Sequence, residues 1–149
     1  MTDNVTTIEL YFDQLIGARE ITQVLITDLQ GRIILSRPSG GAASQGGDGD
    51  DQLQQQHAVD VPESNVVVSG ARAITSLEGL KLGTPQYISV QFHDSMGVQF
   101  VEGSCIITLV GARSHDQCMG GLIALAQHMR SSVPTFRETM KAISDASRT

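Results

Sequence analysis

Residues 86–112 read QYISVQFHDSMGVQFVEGSCIITLVGA, and this stretch decides the fold that the sequence predicts. Within Gln86–Asp94 apolar and polar residues alternate, which is the pattern of a half-buried strand. Asp94–Gly97 suits a tight turn, and the alternation then resumes over Val98–Phe100. Cys105–Ala112 is apolar without a break, as expected of a strand that is covered on both faces. The stretch therefore predicts three consecutive strands.

A long helix is predicted to follow these strands. Apolar residues recur at alternating steps of three and four, at Met119, Leu122, Ala126, Met129, Val133, Phe136, Met140 and Ile143. A stripe of this kind packs on a sheet or on another helix. Ser114–Gln117 has the pattern of a capping box, which predicts the start of the helix. Because the stripe keeps its phase across Pro134, we expect the proline to kink the helix rather than to end it.

The first part of the chain predicts one helix and a hairpin. Thr6–Glu9 is another capping box, so the first helix is expected to begin there. Val24–Ile26 forms a short apolar strand, and Ile33–Leu35 forms its partner. Between them lies Asp28–Gly31, whose residue types favour a hairpin turn.

The middle of the chain predicts a loop followed by a second helix. Pro38–Val59 is rich in Gly, Ser and Gln and has little to bury, so we expect a disordered loop. Asp60–Glu63 combines an acidic cap with an early proline, which favours the start of a helix. Val66–Leu77 then carries apolar residues over more than one stripe. Such a helix is either fully buried or packs one side against a partner chain.

Composition and charge limit the class of protein. A length of 149 residues fits a single domain, 1–149. The net charge of −6 argues against binding to nucleic acid or to an anionic membrane, because both repel an acidic surface. No apolar run approaches the roughly 18 residues of a membrane span, so direct membrane insertion is not expected. With no signal peptide in the sequence, two cysteines within predicted regular structure suggest reduced thiols and a cytoplasmic protein.

Together these elements predict an α/β (α+β) domain of three αβα layers. Its five-stranded antiparallel sheet has two helices on one face and one on the other. The unbroken apolar strands belong in the middle of the sheet, and Gln86–Asp94 belongs at one edge. An uncovered edge strand beside the apolar second helix invites another chain. The sequence therefore predicts a dimerisation surface there.

Four short segments carry a resemblance to a known family. They are Lys81–Gly83, Val98–Phe100, Gly121–Ile123 within the last helix, and Ile26–Gly31 at the first hairpin. In their order and spacing they resemble the roadblock/dynein-light-chain family. More narrowly, they are similar to the mitogen-activated protein kinase (MAPK) scaffold subunit of Ragulator, the late endosomal and lysosomal adaptor.

This resemblance implies a non-enzymatic scaffold that forms a heterodimer with another roadblock-fold subunit. The pair would organise MAP kinase pathway proteins and Rag-type GTPases in TOR signalling, recruited to the late endosome or lysosome by a separate lipidated subunit. It implies no catalytic residues and no cofactor. The family's dimer surface corresponds here to Val66, Val67, Gly70, Ile74, Leu77, Tyr87, Ser89 and Gln91. A homodimer and a dynein-type cargo adaptor remain open as alternatives.

Two chemical alternatives involve the cysteines. Cys118, in the first turn of the predicted last helix with His115 three residues before it, could be an activated thiol nucleophile. Alternatively Cys118 only packs and His115 is a polar residue of the cap, and no orienting acid or oxyanion site is evident. Cys105, His115 and Cys118 could also supply three zinc ligands, although their spacing matches no familiar zinc motif.

Overall fold

The computed structural model describes residues 2–37, 64–113 and 118–146. The elements in chain order are α1 (Thr2–Gly17), β1 (Gln23–Asp28), β2 (Ile33–Arg37), α2 (Ser64–Leu77) with a 3-10 turn at Glu78–Leu80, β3 (Ile88–Gln91), β4 (Ser95–Glu102), β5 (Cys105–Ala112), α3 (Met119–Ser132) and α4 (Pro134–Ala146). Three predictions lie outside the described residues: the disordered loop at Pro38–Val59, the helix start at Asp60–Glu63 and the cap at Ser114–Gln117.

The five strands form one antiparallel sheet in the order β2-β1-β5-β4-β3. β5 lies at the centre, and Cys105–Leu109 is buried throughout because both faces of this strand are covered. β3 lies at one edge, as its alternating pattern predicts. The predicted fold class, an α/β domain built on a five-stranded antiparallel sheet, is confirmed.

Helices cover both faces of the sheet. On one face α1, α3 and α4 pack against β1, β4 and β5 to form the main core. Phe12, Phe100 and Phe136 are fully buried there, and the rings of Phe100 and Phe136 meet edge to face at 6.1 Å between centroids. On the other face α2 is the only helix among the described residues, and Val67 and Ala71 are buried there against the sheet.

The predicted continuous last helix is wrong, because Pro134 ends α3 and begins α4. Val133 lies between them with φ −108° and ψ 97°, an extended conformation. A proline disfavours the helical conformation of the residue before it, and this outweighs the unbroken apolar stripe. Both halves of the stripe nevertheless reach the same core, through Leu122 and Met129 of α3 and through Phe136 of α4.

α1 begins at Thr2, four residues before the cap predicted at Thr6. A capping box marks a place where a helix can begin, but Thr2–Val5 contains no Pro or Gly that would prevent its extension. Within the described residues, no helix is long and apolar enough to cross a lipid bilayer.

The hairpin between β1 and β2 turns at the predicted residues. The Asp28 carboxylate accepts hydrogen bonds from the backbone N–H groups of Gln30 and Arg32, each at 2.9 Å. Its second oxygen accepts from Nε of Arg32, also at 2.9 Å. Gly31 adopts φ 88°, which a side chain would make costly. These bonds secure the turn that orients β2.

Candidate dimer interface

β3 is one of the two edge strands of the sheet, and it is shorter than predicted. It spans Ile88–Gln91 and pairs only with β4, so its other side has no partner strand within the described residues. The strand predicted over Gln86–Asp94 does not reach Asp94, because the backbone N–H of Phe92 donates to the Ser95 carbonyl at 2.7 Å and closes the hairpin. The tight turn predicted at Asp94–Gly97 is therefore wrong by two residues.

The apolar side chains of β3 lie on the face of the sheet that α2 covers. Directly opposite residues of an antiparallel pair point to the same face, and Ile88 lies opposite Gln99. The amide of Gln99 donates to the carbonyl of Val67 in α2 at 3.3 Å. Val90 lies on the same face as Ile88, and it is 46% exposed, while Phe92 just beyond the strand is 57% exposed. α2 therefore leaves β3 uncovered.

α2 has two apolar stripes, one buried and one exposed. Val67, Ala71 and Ile74 point inward and are buried. A second stripe, about 100° away around the helix, contains Val66 and Leu77, which are 60% and 40% exposed. Gly70 belongs to this second stripe and lies against Gln99 of β4, so the stripe faces the side of the sheet that ends in β3.

The exposed and half-buried apolar residues of α2 and β3 lie on the same face of the sheet. We call the set Val66, Leu77, Ile88, Val90 and Phe92 the α2–β3 surface. No residue from Ile88 to Phe92 is ionisable, so an approaching strand meets no charge that it would have to desolvate. The exposed apolar residues continue past α2 at Leu80 and Leu82.

The structure separates the predicted interface residues into three groups. Val66 and Leu77 lie on the α2–β3 surface, and Gly70 borders it. Val67 and Ile74 are buried against the chain's own sheet, which corrects their choice as contact residues. The third group points to the opposite face, where Tyr87 packs on the main core and Ser89 and Gln91 are exposed: Tyr87, Ser89 and Gln91. The interface itself stays a prediction.

Sequence reasoning missed Ile88, Val90 and Phe92 as candidate contacts. Their alternation with polar residues favours a strand whose apolar side faces the core of its own chain. In an edge strand that α2 does not reach, the same alternation leaves the apolar side exposed. The useful signal is the combination of an edge position with an apolar stripe, since either alone is common.

The cysteines occupy two unrelated environments. Cys105 begins β5 in the main core, where burial raises the pKa of its thiol. Cys118 is exposed at the N-terminus of α3, where its sulfur accepts a hydrogen bond from the backbone N–H of Gly121 at 3.4 Å. Its predicted partner His115 lies outside the described residues, so the thiol pair stays a prediction.

The geometry rules out a zinc ion shared by the two cysteines. Cys105 lies at the start of β5, and Cys118 lines a cleft at the other end with Met96 and Ala112. Eight residues of strand separate these ends by roughly 20 Å, whereas zinc–sulfur bonds are about 2.3 Å. Within the described residues, no group of three or more His, Cys, Asp or Glu side chains is placed to hold a metal ion.

A cleft beside Cys118 is a concave feature to consider as a ligand site. Its volume is about 1230 Å³, and it lies between α1 and α3. Apolar side chains such as Leu15, Ile21 and Leu122 line it, with Arg19 and His128 among its few ionisable residues. The described lining is mainly apolar, and an apolar lining by itself indicates no particular ligand chemistry.

Solved structures share this fold over most of both chains. The match to a structure described as MglB with tetrameric arrangement covers 89% of this chain and 88% of the other, at 17% identity and a TM-score of 0.55. MglB, a gliding protein of Thermus thermophilus, matches over 91% and 88%, at 15% identity and a TM-score of 0.55. MglB of Myxococcus xanthus matches over 89% and 90%, at 12% identity and a TM-score of 0.50. No protein-family model matches the sequence, and no curated protein matches it either.

At identities this low, the structural similarity establishes the fold and leaves the function open. The MglB proteins have the roadblock fold, and the matches cover most of both chains. The chain therefore has a roadblock-like fold.

Proposed function

We propose that this chain is a non-enzymatic roadblock-type adaptor that acts by pairing with a second roadblock-fold domain through the α2–β3 surface. The observation that carries the proposal is an edge strand with one neighbouring strand among the described residues, whose apolar side chains lie on the same face of the sheet as the exposed apolar stripe of α2. Pairing would continue the sheet from one domain into the next and would bury both features at once. A roadblock-fold neighbour with a tetrameric arrangement is consistent with assembly of such domains.

The two edges of the sheet differ in a way that favours β3 as the pairing edge. β2 also exposes apolar residues, but its pairing with β1 is irregular. The register shifts, as at a β-bulge, between Ile26 and Thr27 of β1. Arg37 at the end of β2 is held by Asp13 of α1 through two hydrogen bonds. Bulges and charged side chains are devices that protect an edge from other strands. Ile88–Gln91 contains neither a charged residue nor a proline.

In its finer form, the proposal takes the partner to be a different roadblock-fold subunit. The pair would organise MAP kinase pathway proteins and Rag-type GTPases at the surface of the late endosome or lysosome. This part is supported by the sequence resemblance at Lys81–Gly83, Val98–Phe100 and Gly121–Ile123. A homodimer or a dynein-type cargo adaptor would use the same α2–β3 surface with another partner.

A matched pair of edge substitutions tests the pairing surface. Val90→Lys places a charge on β3, and Ile34→Lys places the same charge on β2, at residues that are 46% and 42% exposed. Association is measured by sedimentation equilibrium, for the chain alone and with the subunit that co-purifies with it. We expect Val90→Lys to weaken association at least tenfold, because the interface would have to desolvate an unpaired charge. Ile34→Lys should leave it unchanged, and equal effects of the two variants would remove the proposal.

Co-purification from the native cell tests the finer form. Mass spectrometry of the complex held by the wild-type chain, compared with that of Val90→Lys, identifies proteins that depend on the α2–β3 surface. A second roadblock subunit with MAP kinase pathway proteins or Rag-type GTPases supports the scaffold assignment. Recovery of only a second copy favours the homodimer, and recovery of motor subunits favours the cargo adaptor.

A further inference from the structure

The side chain of Arg130 in α3 holds the segment that leads into β3. The guanidinium Nη1 of Arg130 donates to the carbonyl of Gln86 at 2.8 Å, two residues before the strand begins. Its Nε donates to the carboxylate of Glu102 at the end of β4, at 3.0 Å. The same guanidinium lies 4.9 Å from the centroid of the buried Phe100 ring. The core and β4 therefore fix the position of the Arg130 side chain, which also contacts the segment leading into β3.

A second arginine holds the segment that follows β3. Arg113, one residue after β5, donates from Nη1 to the carbonyl of Phe92 at 2.9 Å. Its backbone N–H donates to the carbonyl of Asp94 at 3.1 Å. These two bonds fasten the tip of the β3–β4 hairpin to the end of the central strand. The carbonyls that flank β3 at both ends thus accept hydrogen bonds from arginine side chains.

We propose that Arg113 and Arg130 are positioning residues that hold β3 ready to pair with a second domain. This inference rests on the proposed function, because it assigns these arginines a role in the same α2–β3 surface. β3 has only four residues and one neighbouring strand, so it would fray readily without its two end contacts. Ordering a segment during binding weakens affinity, and a segment that is already ordered avoids this loss.

The experiment combines pairing affinity with the local stability of β3. Arg130→Lys keeps the charge and the alkyl stem but cannot reproduce the two-armed contact with Gln86 and Glu102. Arg113→Gln removes the charged donor at the hairpin tip. The matched control is Arg137→Gln on α4, an exposed arginine away from β3. Each variant is examined by thermal unfolding, by sedimentation equilibrium with the partner, and by amide hydrogen exchange of Ile88–Gln91.

We expect each positioning variant to weaken pairing roughly two- to fivefold and the double variant roughly tenfold, the range of one or two net hydrogen bonds. Exchange of the β3 amides should quicken by at least a similar factor in the unpaired chain, beyond what any fall in the unfolding midpoint accounts for. Arg137→Gln should change neither quantity. A merely structural role would lower the unfolding midpoint and leave the affinity of the folded fraction unchanged, which overturns the inference.

The two proposals fail in different ways. If the wild-type chain pairs but the arginine variants pair equally well and exchange at wild-type rates, only the positioning role is wrong. If the wild-type chain pairs with neither a second copy nor a co-purified subunit, the proposed function is wrong, and the positioning role falls with it.

Discussion

A methyl group added at Gly70 of α2 would lie 1.7 Å from Oε1 of Gln99 on β4. Nothing larger than glycine fits between this helix and this strand while Gln99 keeps its position. Gln99 in turn donates to the carbonyl of Val67 at 3.3 Å and to Oγ1 of Thr108 at 3.1 Å. The glycine therefore allows one side chain to join α2 to two strands, and it sets how close the α2–β3 surface comes to the sheet.

Gly70→Ala should destabilise the chain although alanine favours helix. Intrinsic helix propensity would gain about 1 kcal/mol, but the clash forces Gln99 to move and breaks its two hydrogen bonds. Two hydrogen bonds at about 1 kcal/mol each, less this gain, give an expected net loss of about 1 kcal/mol in the free energy of unfolding. In a Gln99→Ala background the clash is absent, so Gly70→Ala should become neutral or stabilising. Urea unfolding of the four chains of this double-mutant cycle measures the coupling, and additive effects would contradict it.

Ile74 and Leu77 lie about one helical turn apart on α2. A lysine at position 74 should affect folding, whereas a lysine at position 77 should affect pairing. Ile74 is buried, so Ile74→Lys would leave a charge without a partner in the core and cost about 3 kcal/mol or more of stability. Leu77 is 40% exposed, so Leu77→Lys should change stability by less than about 0.5 kcal/mol. Leu77→Lys should nevertheless weaken pairing. Thermal unfolding and sedimentation of both variants separate folding from association, and unfolding by Leu77→Lys would show that this stripe is not free.

The contrast within α2 shows how far the sequence could predict the site. The wide apolar arc of Val66–Leu77 predicts a helix that is either fully buried or packs one side against a partner chain, and the structure shows one buried stripe and one exposed stripe. It does not predict which residues serve which contact, because the two stripes are only about 100° apart. That assignment depends on the orientation of the helix about its axis, which is fixed by packing of Val67 and Ala71 on the sheet and by the close approach of Gly70 to Gln99.

The strand order was predictable for a different reason. An unbroken apolar run such as Cys105–Ala112 needs cover on both faces, and an alternating run tolerates an edge. The break at Pro134 was harder, because the apolar stripe and the proline gave opposite indications. The steric preference of the Val133 backbone for an extended conformation ends α3 there. The core keeps its contacts with the apolar stripe, because both helices pack on it.

The Asp28 turn should make stability depend on pH in the acid range. Burial raises the pKa of this carboxyl, but hydrogen bonds from the N–H groups of Arg32 and Gln30, with the Arg32 guanidinium, outweigh it and lower the pKa. Because its pKa is lower in the folded state, the ionised carboxylate stabilises the fold at pH values above the unfolded-state pKa of about 3.9. This stabilisation is lost as the pH falls from that value through the lowered pKa of the folded state.

Asp28→Ala should therefore cost about 1–2 kcal/mol at neutral pH, where the carboxylate accepts its bonds. The difference from the wild-type chain should shrink below about pH 4, because the wild-type carboxyl becomes protonated. Urea unfolding at several pH values measures both chains. A difference that stays constant down to about pH 2.5, well below the unfolded pKa, would mean that the turn does not depend on the ionised carboxylate.

Thiol chemistry separates the adaptor from the alternative of an enzyme that uses Cys118. Cys118 is exposed at the N-terminus of α3, whereas Cys105 is fully buried with a raised pKa and stays protonated at neutral pH. We expect iodoacetamide to modify Cys118 at about the rate of free cysteine and to modify Cys105 only after denaturation. Peptide mapping distinguishes the sites, with Cys118→Ser and Cys105→Ser as controls. An activated nucleophile must be a thiolate at working pH, so alkylation of Cys118 many times faster than that of free cysteine would favour the enzyme over the adaptor.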